Sequence, residues 1–279
     1  MLLLGACAHA RPAGAPAGGP RPKITPSTED RRPHDAQSGA EPWRPSRLLG
    51  FGSVPVRRVD PTVDLGAPVR MLLRGSRDPA LRDRLAKFHT EVGIEPRGVW
   101  VRVGRAAVPV SEVQPRHLDA TFFVDFDQPP VAELLEHLQA GGKRPTPVGL
   151  RDFVASHFKQ ARSGGFDPAS LAARTASGDC SEHAVLLAAL ARGLKMPARV
   201  ILGVAIVEHR GELYGFGHAW TQIHANGSWQ SLDATLIEAA GYLATSELLD
   251  ESPTTGLSLA REIAAGFLFP ESIEISHAR

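Results

Sequence analysis

Cysteine is nearly absent: the 279 residues contain two, Cys7 and Cys180. They lie in segments of very different character, so no disulfide framework is expected and Cys180 reads as a free thiol. A surplus of either charge is also missing, with 31 Lys and Arg against 30 Asp and Glu. A net charge of +1 gives neither the basic excess of a nucleic-acid binder nor an acidic solvating tail. No run approaches the roughly 18 consecutive apolar residues of a spanning helix. The longest apolar blocks, 184–191 and 200–207, are core-sized. Cys-x-x-Cys, His-Glu-x-x-His, Walker and dinucleotide-glycine patterns are lacking, as is any repeat of fixed period. These absences remove the common zinc, nucleotide and solenoid classes.

What is present divides into three parts. Residues 1–49 form a leader rich in Pro, Gly, Ala and Arg, too poor in large aliphatic residues to offset their ordering entropy, and read as a tether. Leu2-Leu3-Leu4-Gly5-Ala6-Cys7 looks like the end of a bacterial lipoprotein signal, although basic residues are missing before it. Two readings stay open: a lipidated Cys7 anchoring an envelope protein to the membrane, or a Leu-rich start on a cytoplasmic one. Residues 50–142 read as a small α+β module. Its expected strands are 69–73, 99–110 and 120–126; its helices are marked by Leu81, Leu85 and Phe88, and by Val131, Leu134, Leu135 and Leu138. Asp125 and Asp127 read as a solvated edge and turn rather than a metal site. Residues 143–279 open with a helix over 148–160 and then carry the chemistry.

Asp179 and Glu182 form a capping-box signature, which predicts Cys180 at the first position of a helix running to Gly193. That helix is apolar nearly all round and therefore central. Its N-terminal N–H groups and dipole favour thiolate, and the Cys180 N–H can donate to an oxyanion. Taken alone, Cys180 would pass for a small buried hydrophobe with Asp179 merely capping.

The next segment changes that reading. Asn226-Gly227 predicts a two-residue hairpin turn between 217–225 and 228–235. Counting back from it sets Ala225 against Ser228, His224 against Trp229, Gln222 against Ser231, Trp220 against Asp233 and His218 against Thr235. His218 and Asp233 then emerge on one face as diagonal neighbours, about 7 to 8 Å apart at the backbone, within reach of an imidazole–carboxylate bond. Trp220 would wall the pair from water or anchor the hairpin. His224 and His183 read as packing or surface residues. Thiolate, imidazole and carboxylate could also hold zinc, but a thiol at a helix start suits a nucleophile better, so no metal or cofactor is expected.

Gly178-Asp179-Cys180-Ser181-Glu182-His183-Ala184, Arg192-Gly193-Leu194-Lys195-Met196-Pro197-Ala198-Arg199-Val200, Gly217-His218-Ala219-Trp220 and Trp229-Gln230-Ser231-Leu232-Asp233-Ala234-Thr235 resemble, in order, the bacterial branch of the transglutaminase-like superfamily. The resemblance covers about 150–235 and loosely the tail to Ile275. It implies an α+β, papain-like core with Cys180 as nucleophile, His218 as general base and acid, and Asp233 as orienting carboxylate. It also implies amide chemistry on proteins or peptides: proteolysis, deamidation or cross-linking. Lys195-Met196-Pro197 stands where Gly-Ile-Pro is more usual, and the second oxyanion donor lies outside the matched blocks. The expected function is thus a cysteine hydrolase or acyltransferase with a protein or peptide partner. The alternative is a non-catalytic binding or scaffolding protein of the envelope. No feature of the sequence indicates an oligomeric state.

Overall fold

The computed structural model describes residues 52–104, 112–142, 144–161, 166–236, 239, 241–249 and 270–278. The leader and tether expected over 1–49, with Cys7, lie outside the described residues. In chain order the elements are β1 (Ser53–Arg58), β2 (Val69–Arg74), α1 (Pro79–Leu85), β3 (Val92–Glu95), β4 (Gly98–Val103), α2 (Pro129–Ala140), α3 (Pro147–His157), β5 (Gln160–Ala161), α4 (Ala169–Thr175), β6 (Ser177–Gly178), α5 (Cys180–Gly193), β7 (Ala198–His209), β8 (Glu212–Ala225), β9 (Ser228–Leu232), β10 (Gly241–Glu247) and β11 (Ser272–His277).

The fold is α+β, with the Cys-bearing helix α5 buried against a mainly antiparallel sheet. Among the described residues the sheet runs β10-β7-β8-β1-β11-β2-β4-β3, with β9 paired to β8. Only β1 and β11 run parallel within it. Hydrogen bonding is continuous across the boundary expected near Gly142. β1 pairs with β8 through Ser53–Phe216, Val54–Gly215 and Pro55–Tyr214, and on its other edge with β11. The strands of the expected N-terminal module therefore share one sheet with the His- and Asp-bearing hairpin.

Thirteen of the 14 residues of α5 are buried, which explains its all-round apolar pattern. Phe123, Val131, Leu135, Leu150, Val154 and Ala172 surround it, with Val200, Leu202, Ala219 and Ile223 from the sheet beneath. Each buried Leu or Val contributes about 1.5–3 kcal/mol. Thr221 Oγ1 donates to Ala184 O at 2.8 Å, tying the helix to β8. A second core joins β1, β2, β4 and β11 to α1 and to Val204, Ile206 and Leu243.

Three expectations are corrected. Residues 120–126 are not a strand: Thr121 N bonds Val124 O, and the Asp125 carboxylate turns inward to accept from Ser170 N (2.8 Å) and Oγ (2.5 Å) at the start of α4. The helix expected over 148–160 ends at His157, because Phe158 becomes extended (ψ 130°) so that β5 can pair with β6. The strand expected over 217–225 starts earlier, since residues 208–216 are strand, turn and strand. Arg210 and Gly211 take φ of 53° and 82°, so β8 begins at Glu212 rather than Gly217. Two adjacent positive φ values make the tight hairpin turn that matches strand twist.

Candidate active site

The start of α5 is built as its sequence expects. Asp179 Oδ1 accepts from Ser181 N at 3.0 Å and Glu182 Oε2 accepts from Asp179 N at 2.8 Å, closing the capping box around Cys180 at the first helical position. The second oxygen of Glu182 reaches further back and accepts from Asp167 N at 2.9 Å. Gly178 makes room for this, since a Cβ there would lie 2.4 Å from the Glu182 Cβ. Burial pushes the Glu182 carboxyl up to about 7, against the backbone N–H bond from Asp179 that favours its charge.

The turn Asn226-Gly227 has φ of 53° and 76°. It gives the register Ala225–Ser228, His224–Trp229, Ile223–Gln230, Gln222–Ser231 and Thr221–Leu232, the pairing expected from counting back. Pairing ends at Leu232, so His218 has no Thr235 opposite it. Asp233 instead turns, its Oδ1 accepting from Thr235 N at 2.8 Å and Leu236 N at 3.0 Å. Its other oxygen, Oδ2, accepts from His218 Nε2 at 2.6 Å. The edge of β8 away from β7 pairs with β1 up to Phe216 and with β9 from Thr221. His218 thus sits where that edge of β8 lacks a paired strand among the described residues.

Cys180, His218 and Asp233 are therefore together. The Cys180 side chain lies close enough to His218 to interact with its ring, and with Nε2 committed to Asp233 the nitrogen left for sulfur is Nδ1. All three side chains are buried, Cys180 being 9% exposed and His218 1%. Burial by itself would lower the His218 pKa, but the charges of Asp233 and Cys180 outweigh it and push the imidazole up to about 10. Burial likewise opposes the charge on Asp233, yet His218 and the two backbone N–H donors hold the carboxyl far below its ordinary value.

Trp220 lies beside the pair, its ring near parallel to His218 at 6.3 Å and its side chain 1% exposed, a position that suits both a wall and a hairpin anchor. Gly203 lets it lie there, because a Cβ at that position would meet Leu243 O at 2.1 Å and the Trp220 ring at 2.8 Å. His224 packs edge-on against Trp229 at 5.3 Å, a structural role. Tyr242 was missed by sequence reasoning. Its hydroxyl donates to Asp233 Oδ2 at 2.8 Å from β10, two strands away in the sheet, and no local pattern announces that contact. His183 is closer to the centre than its packing role implied, stacked on Phe158 at 3.7 Å and within electrostatic reach of Asp233 and His218. Among the described residues no cluster of three or more His, Cys, Asp or Glu is placed to hold a metal ion.

Residues 146–234 match the family model of the transglutaminase-like superfamily. Three solved structures show likeness at low identity. A candidate cysteine protease from Cytophaga hutchinsonii is 14% identical, with 76% of this chain and 81% of that one covered at a TM-score of 0.43. The periplasmic domain of TgpA from Pseudomonas aeruginosa, bound to ethylmercury, is 18% identical over 51% of this chain and 59% of that one, at a TM-score of 0.37. A TGase is 15% identical over 60% and 51%, at a TM-score of 0.30. No curated protein matches the chain. No helix among the described residues is long and apolar enough to cross a membrane.

Proposed function

We propose that the chain is a cysteine enzyme acting on protein or peptide amide bonds through an acyl-thioenzyme. The observation that carries this reading is the His218 ring, bonded through Nε2 to Asp233 and within interaction range of the Cys180 thiol at the start of α5. His218 takes the thiol proton, the sulfur attacks the carbonyl carbon, and His218 gives the proton to the departing amine. Asp233 fixes the ring and supports its positive form. The Cys180 N–H, at the unpaired first turn of α5, donates to the oxyanion. Water or a second amine then resolves the thioester, giving hydrolysis or transfer; hydrolysis is the reading preferred. Residues 1–7 support a further element of the proposal, an envelope protein carrying lipid on Cys7, which an intact-mass measurement on protein made with its native upstream region would test.

Alkylation by iodoacetamide tests the centre. Cys180 is expected to react at about pH 6 faster than a free thiol of pKa about 8.5, and His218→Ala should remove the advantage. Reaction no faster than a model thiol would leave a binding or scaffolding protein that merely keeps the fold. Transfer of a labelled amine into protein glutamines, against the appearance of new peptide ends, separates acyl transfer from proteolysis.

A further inference from the structure

The proposed chemistry leaves a second histidine unexplained. His183 follows Cys180 by three positions on α5, so both side chains lie on one face of the helix, about 5 to 6 Å apart at Cβ. Its ring is held from two directions. Nδ1 lies 2.6 Å from the Asp179 carbonyl oxygen, which can only accept, so Nδ1 carries the hydrogen. The ring face stacks on Phe158 at 3.7 Å and 21°, and Phe158 is itself fixed where α3 gives way to β5. Burial, the largest influence on this histidine, keeps it neutral by lowering its pKa.

A neutral imidazole with hydrogen on Nδ1 has a lone pair on Nε2. That nitrogen makes no hydrogen bond among the described residues, and the residue keeps 8% of its surface exposed. It belongs to a ring close enough to His218 and Asp233 to feel their charges. A locked, neutral, unpartnered acceptor beside a thiol and its base is more than packing requires.

We propose that His183 Nε2 is the acceptor that holds the second nucleophile, water or a primary amine, against the acyl-thioenzyme. This rests on the acyl-thioenzyme reading above. In that step the oxygen or nitrogen of the nucleophile bonds to the thioester carbonyl carbon. One of its hydrogens passes to His218, the carbon–sulfur bond breaks, and that proton returns to the Cys180 sulfur. His183 accepts a hydrogen bond from the other hydrogen throughout and gains no proton. It would thereby aim the lone pair of the nucleophile, a role in deacylation and not in formation of the thioester.

The test uses p-nitrophenyl acetate on the whole protein, with the nitrophenolate burst reporting acylation of Cys180, steady turnover reporting deacylation, and intact mass reporting acetyl-enzyme. His183→Asn keeps a donor for Asp179 O and removes the group at the Nε2 position; His183→Gln keeps an acceptor near it. The expected result is an unchanged burst in His183→Asn, accumulation of acetyl-enzyme, and turnover lower by at least about tenfold, the weight of one hydrogen bond in a charged site. His183→Gln should recover part of the turnover. Equal loss of burst and turnover in His183→Asn would make His183 structural and overturn the proposal, as would unchanged turnover. If wild-type Cys180 takes no acetyl group at all, the acyl-thioenzyme reading itself fails, and the role of His183 with it.

Discussion

The hydroxyl of Tyr242 donates to Asp233 Oδ2, the same oxygen that accepts from His218, at 2.8 and 2.6 Å. The carboxylate is thereby held on both oxygens, Oδ1 by two backbone N–H groups and Oδ2 by two side chains. Tyr242→Phe should cost about 1.5–3 kcal/mol of unfolding free energy, since it removes a buried bond to a charged group. Urea unfolding would measure it, and alkylation of Cys180 at pH near 6 should slow in parallel.

Asp233→Asn removes the charge that outweighs burial at His218. The imidazole, pushed up to about 10 in the native protein, should fall to the ordinary value near 6.5 or below it. Titration of the His218 ring by NMR reads this directly, and a pKa still near 10 in the variant would contradict the assigned cause.

His89 gives a separate pH signature. Burial lowers it to about 4, and its Nε2 bonds Ala244 O at 3.0 Å. A folded pKa depressed below the unfolded value of about 6.5 means the unfolded chain binds more protons between the two. Stability is full above about pH 6.5 and falls as pH drops towards 4, by about 3 kcal/mol in all. Urea melts at several pH values should show this slope, and His89→Gln should flatten it.

Lys195, just past the end of α5, has φ of 59°, in the left-handed region. Its N–H bonds Arg192 O at 2.8 Å, closing the helix. The resemblance places glycine at this position, and the backbone shows why: without a Cβ the conformation carries no steric penalty. Lys195→Gly should raise stability by up to about 1 kcal/mol. Thermal unfolding checks it, and a fall in melting temperature would show that the lysine side chain contributes more than the turn loses.

Gly178→Ala should damage the centre from behind. The added methyl would sit 2.4 Å from the Glu182 Cβ, close to the helix backbone where no flexible side-chain end can yield. About 1–3 kcal/mol of destabilisation is expected from the overpacking. Loss of the capping box should also slow Cys180 alkylation.

The parts legible in the sequence are those set by short-range chemistry. Asp179 and Glu182 announce a helix start because the bonds that close it span only two or three residues. Asn226 and Gly227 announce a hairpin because each tolerates the positive φ of the turn, and the two-residue period then carries the register as far as Leu232. The same logic missed Arg210-Gly211, whose first residue carries no such preference, and so β8 was read five residues short.

By itself, then, the sequence determined where Cys180 begins its helix and the hairpin register as far as Leu232, which sets Asp233 near His218, since both follow from backbone geometry repeated over a few residues; the bond itself comes from the turn Asp233 makes after the strand ends. Only the tertiary structure decided what surrounds them. It brought Tyr242 across β7 to Asp233, pressed Gly203 beneath Trp220, stacked Phe158 on His183, and joined β1 and β11 into the sheet that carries His218. Those contacts join residues far apart in the chain, such as Val56 and Ile273, whose pairing depends on which apolar faces find each other during packing and leaves no local period to read.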